Sequence, residues 1–130
     1  MPFQTRSQKD MERAATLVAS VVGEDGKTPS VYQGLCHQFP VFVLQCGLAQ
    51  AVAFSASKEG TDAGIEKAHR LLLDHFAAVL GFADRAAMVA GVRTASLTEY
   101  MRLTRRTLDA AIFFKRFAEA LIEDEPHANR

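Results

Sequence analysis

With 130 residues, 48% of them hydrophobic and 23% charged, the chain has the length and composition of one folded domain, not of a disordered or fibrous polypeptide. Fifteen Lys plus Arg cancel fifteen Asp plus Glu, so the molecule is not basic all over and any nucleic-acid role must come from a local patch. Two cysteines, Cys36 and Cys46, are too few for a disulfide scaffold and fit no CxxC zinc spacing, which points to a reducing cytosol.

The opening "MPFQTRSQKDMERAA" is polar and has no apolar run before a small-residue cleavage site, so no secretory signal is expected. From 5 to 22, Met11, Ala14, Ala15, Val18, Val21 and Val22 recur at helical spacing. Arg6, Lys9, Asp10 and Arg13 fall largely off that stripe, and Gly23 closes the helix. "GEDGKTPS" is a loop by its glycines, charges and Pro29. Its Gly-Lys-Thr does not make a phosphate loop. That motif needs glycine where Val21 stands, and a strand where a helix is predicted.

Residues 29–38 read as a short helix opened by Pro29. The segment 39–58, "FPVFVLQCGLAQAVAFSASK", is predicted to be the central helix, apolar all round because other helices surround it. Its length of about 18 apolar-dominated residues reaches the lower edge of a membrane span. Pro40, Gln45, Gly47, Gln50, Ser55 and Ser57 argue against lipid, because no second span shelters the amides, and no membrane contact is expected. Inside a bundle, Gln45 and Gln50 need hydrogen-bond partners on neighbouring helices or in an interface.

After "KEGTDAG", helical spacing resumes over 65–80 with Ile65, Ala68, Leu72, Phe76, Val79 and Leu80, ended by Gly81. A short helical piece follows at 84–90. The last helix opens on a capping box, Ser96 with Glu99, and runs over about 97–122. The acidic tail 123–130 is expected to fray. No segment alternates with period two, so the fold class is all-α, one compact helical bundle over 1–130 packed around the 39–58 helix.

Neither thiol sits in a Gly-rich turn or strand-to-helix elbow, so a Cys–His nucleophile is not expected and a buried structural thiol is. His69 and His75 lie six apart on one helix, on different faces, not at the i, i+4 spacing of a two-histidine metal pair. No catalytic residue, metal ligand or cofactor is therefore assigned. The last helix is more informative. Between Arg93 and Arg116 six cations stand against two anions, Glu99 and Asp109. Arg102, Arg105, Arg106 and Arg116 fall within roughly one third of the helix circumference. The opposite arc, Leu103, Thr107, Ala111, Phe114, Ala118 and Leu121, should face the core. Such an arginine arc is either a solvated face paired with neighbouring acids or a phosphate-contacting surface.

"GLAQAVAFSASKEG" (47–60), preceded by "FPVFVLQ", together with "ERAATLV" (12–18) and "EYMRLTRRTLDAAIFFKRFAEALI" (99–122), resembles the small α-helical subunit, the fifth Cmr protein, of type III-B CRISPR effector complexes. The resemblance runs from about residue 8 to 122. It departs from the family at Cys46, where asparagine is expected before the Gly-Leu pair. It implies a small helical protein without catalytic activity. Its copies would stack beside the backbone subunits that hold the guide RNA, and a basic surface would help to accommodate the target RNA.

Carried over by position, Arg13 belongs to the family's first-helix motif, Lys58 ends its central helix, and Arg102, Arg105 and Arg106 stand near the start of the last helix. With Arg116 these are the expected phosphate contacts. Expected partners are the backbone subunit, the large polymerase-like subunit, further copies of the chain, and guide and target RNA, in a prokaryotic cytoplasm. The competing reading is a helical adaptor that binds protein only.

Overall fold

The structure, a computed structural model, describes residues 3–58 and 60–122. The expected frayed tail 123–130 lies outside them. Six helices occur among the described residues: α1 Arg6–Val22, α2 Thr28–Cys46, α3 Leu48–Ala56, α4 Ala63–Leu80, α5 Arg85–Thr94 and α6 Leu97–Leu121. No strand does, so the all-α expectation holds. No single helix among the described residues is long and apolar enough to cross a membrane.

Helix starts follow local chemistry. Thr5 and Gln8 form a full capping box on α1: Gln8 N–H donates to Thr5 Oγ1 at 3.0 Å and Thr5 N–H donates to Gln8 Oε1 at 2.8 Å. The box expected on α6 is half formed. Glu99 N–H donates to Ser96 Oγ at 3.3 Å, but the Glu99 carboxylate accepts Arg102 instead of reaching back. Asp62 and Asp84 cap α4 and α5. The latter helix runs on past the expected 90 because Gly91 packs directly on Phe82, where a Cβ would come within 2.5 Å of the ring.

The predicted division between a 29–38 helix and a 39–58 helix is corrected. One helix, α2, runs from Thr28 to Cys46 straight through Pro40, and the break falls at Gly47, with φ 90° and ψ 157°. Pro40 removes one intrahelical bond, a loss that packing against α4 and α6 outweighs. The Gly47 backbone, by contrast, lies where side chains are strained. Nor is this segment enclosed all round: Val41, Leu44, Gln45, Cys46 and Gln50 are exposed. The helix at the centre is α4, which packs against all five others.

The core lies where α2, α4 and α6 meet. Phe76 packs on Phe39 with ring centroids 4.9 Å apart and on Phe114 at 4.7 Å, and each ring contributes about 2 kcal/mol by burial. The interior amide that needs partners is Gln33, not Gln45 or Gln50. Gln33 Nε2 donates to the carbonyls of Ala118 and Ile122, both at 3.1 Å, and so satisfies the end of α6. On α6, Leu103, Thr107, Ala111, Phe114 and Ala118 are buried as expected, but Leu121 is exposed. On α1, Ala14, Val18 and Val21 are buried, whereas Met11 is exposed and Asp10 takes an inward place.

Candidate nucleic-acid interface

The inward face of α6 is fixed by the core, so its arginines are presented on the remaining arc. Arg105 and Arg116 are exposed and have no ion-pair partner among the described residues. Eleven residues apart, they stand within about 20° of one another around the helix and roughly 16 Å apart along it. Arg102 shares this side but is engaged: its Nε and Nη2 donate to the two Glu99 carboxylate oxygens at 3.0 and 2.6 Å. The Arg102 guanidinium holds the Glu99 carboxyl below the usual carboxylate range. Asp109, inside the same arc, lies 3.7 Å from Arg6 of α1 in a half-exposed pair, which leaves it weakly held.

Arg106 occupies a different environment. Its Nη2 donates to Asp10 at 3.1 Å, the pair is largely buried, and Arg106 Nε is enclosed with no acceptor. This is a seam between α1 and α6. Arg13 reaches the end of α4, where its Nη1 donates to the Ala78 carbonyl at 2.9 Å, a favourable place for a cation. Lys58 follows α3, with its Nζ 4.3 Å from the Phe54 ring centroid. The structure thus places Arg102, Arg105 and Arg116 on one side of α6, sets Arg106 at its edge, and leaves Arg13 on α1 and Lys58 in the turn after α3.

Of the residues weighed for chemistry, Cys36, His69 and His75 are interior, whereas Cys46, expected to be a buried thiol, is exposed at the end of α2. Cys36 is buried, and burial pushes its thiol up to about 12, so it is not a thiolate at neutral pH. His75 Nδ1 lies 2.6 Å from the Tyr32 hydroxyl, and His69 Nδ1 lies 3.2 Å from Ser55 Oγ. Burial lowers the pKa of both histidines.

One feature escapes sequence reasoning: a hollow of about 430 Å³ between α3, α4 and α5, with Arg70, Arg85 and Arg93 around it. These cations come from two helices and lie as far as 23 positions apart, so no single-helix periodicity reveals their convergence.

Comparison with known proteins gives one consistent result. Residues 6–121 match the family model described as "CRISPR-associated protein (Cas_Cmr5)". The chain is 39% identical over 122 residues to the "CRISPR system Cmr subunit Cmr5" of Thermus thermophilus, an alignment covering 94% of this chain and 100% of that protein. The crystal structure of a CRISPR-associated Cmr5 family protein from Thermus thermophilus superposes with a TM-score of 0.81 at 39% identity, covering 92% of this chain and 100% of the other.

Proposed function

Since this chain belongs to the Cmr5 family of CRISPR-associated proteins, we propose that it acts as a non-catalytic structural subunit of a type III-B Cmr complex. The complex serves RNA-guided RNA interference in antiviral defence in the prokaryotic cytoplasm. Copies of the chain stack into a small-subunit filament beside the backbone subunit, with the large polymerase-like subunit as a further partner. Exposed apolar side chains such as Leu44, Leu97 and Met101 support protein contacts.

The observation that carries the RNA reading is the pair Arg105 and Arg116, aligned on the solvent side of α6 and engaged in no ion pair among the described residues, although Asp109 and Glu119 stand near them on the helix. Guanidinium forks suit phosphate oxygens, and base reading is unnecessary because the guide supplies sequence by pairing. Arg102 adds a third contact at the cost of its Glu99 bonds, and Arg13 and Lys58 are secondary contacts, whereas Arg106, expected among the phosphate contacts, is largely buried against Asp10 and serves the α1–α6 seam instead. Two or three phosphate contacts per copy bind weakly, and a row of copies raises affinity through effective concentration.

The test is the double substitution Arg105→Glu and Arg116→Glu in the assembled complex. Target-RNA retention should fall at least tenfold, and the slope of log affinity against log salt should flatten by about 0.7 per lost single-strand contact. Subunit composition should not change. Loss of assembly with normal RNA retention by the residual complex would favour the protein-only adaptor. Arg106→Glu is the wrong probe, because it sets a second carboxylate beside Asp10.

A further inference from the structure

The hollow between α3, α4 and α5 takes no part in the α6 surface. Its floor is aliphatic, formed by Ala56, Leu73 and Val89, and its rim carries Arg70, Arg85 and Arg93 against one carboxylate among the described residues, Glu66. Two of the three guanidiniums are held in place. Arg70 lies 3.2 Å from Glu66, which also accepts the Gly60 N–H, and Arg85 Nη1 donates to both carboxylate oxygens of Asp74 at 2.9 Å. Each guanidinium has five N–H donors, so both keep donors to spare. Arg93, exposed in the last turn of α5, has no acid partner among the described residues. The helix dipole accounts for one cation at that end. It does not account for three converging on an apolar floor.

Two kinds of ligand meet three arginines: nucleic acid and acidic protein. Phosphates would meet the guanidiniums but leave the aliphatic floor unused, and no aromatic side chain among the described residues lines the hollow for bases to stack on. A peptide with an apolar residue flanked by Asp or Glu uses both halves of the site. The aliphatic floor takes the anchor and the rim takes the carboxylates, in the arrangement typical of interface hot spots.

We propose that the α3–α4–α5 hollow is the docking site for an acidic segment of a neighbouring protein subunit, which inserts one apolar side chain against Leu73 and Val89 and pairs its carboxylates with Arg93 and Arg70. This rests on the reading of the chain as a subunit of a multiprotein complex. It assigns the protein contact to a surface separate from the α6 arginines.

The experiment is a competition. Equal amounts of wild-type and Arg93→Glu chains are mixed with the other subunits and guide RNA, and the ratio incorporated is read by mass spectrometry. The variant should be under-represented at least tenfold, Arg93→Lys should compete almost equally, and Val89→Asp should be excluded with Arg93→Glu. Binding of fluorescein-labelled oligouridine by the isolated chain should change less than twofold. Equal incorporation of Arg93→Glu would overturn the site while leaving the proposed function intact, and a parallel loss of oligouridine binding would make the hollow an RNA site. Failure of the wild-type chain to assemble would remove the functional reading and this site together. Arg93 is exposed in a final helical turn, so its substitution reports on docking and not on folding.

Discussion

Gly47 holds φ at 90°, and a Cβ placed there would sit 3.1 Å from the Tyr100 hydroxyl. The closeness follows from what Tyr100 does. Helix α3 has no side-chain cap of its own, and Ala49 N–H donates instead to Tyr100 Oη at 2.9 Å, so a residue of α6 terminates α3. Gly47→Ala should therefore cost about 1–3 kcal/mol through backbone strain. Tyr100→Phe should cost about 1 kcal/mol through the lost bond. Because the new methyl presses on that same hydroxyl, the double variant should cost less than the sum of the two, by about 0.5 kcal/mol or more. Urea unfolding of the four proteins measures this, and strictly additive costs would show that the two residues do not meet.

At the scale of helices, α6 is positioned by its ion pairs to α1, and the two pairs are unequal. Asp10 and Arg106 are mostly buried, with side chains 8% and 20% exposed, whereas Arg6 and Asp109 are more than half exposed. Asp10→Ala leaves an enclosed guanidinium uncompensated and should cost about 2–3 kcal/mol. Asp109→Ala should stay within about 0.5 kcal/mol. Thermal unfolding of the two variants separates them, and equal shifts would mean that solvent reaches Arg106 freely. This pair also shows where sequence reasoning stops. Asp10 falls off the apolar stripe of α1 and so reads as solvated, yet its partner stands 96 positions away on another helix. Gly23, Gly81 and Ser96 marked helix ends correctly because their signals are local. The expected division between 38 and 39 does not occur, because α2 runs on through Pro40 with that residue's local cost outweighed by packing against two helices, and the true break at Gly47 depends on a backbone angle that no spacing reveals. The α6 arginine row was legible because one helix carries it, whereas the arginine-rimmed hollow needs α4 and α5 brought together.

For the whole molecule, two neutral histidines at the centre make stability depend on pH. His75 is 5% exposed, lies 6.2 Å from the Phe114 ring, and is pushed by burial from 6.5 down to about 4, with Asp74 pulling weakly the other way. His69 shifts in the same direction through burial and the charge of Lys58. In the unfolded chain both regain ordinary behaviour, so below pH 6.5 the unfolded state takes up protons that the folded state refuses. Stability that His75 permits in full above 6.5 should be lost progressively as pH falls towards 4, to a total of up to about 3 kcal/mol. Between pH 6 and 4.5 the unfolding free energy should drop by roughly 1.4 kcal/mol per pH unit for each proton taken up. His75→Gln, which cannot titrate, should start less stable at pH 7.5 because the Tyr32 pairing is disturbed, yet lose less on acidification. Urea midpoints of both proteins at pH 7.5, 6 and 4.5 give the comparison, and an equal loss in both would locate the acid sensitivity away from His75.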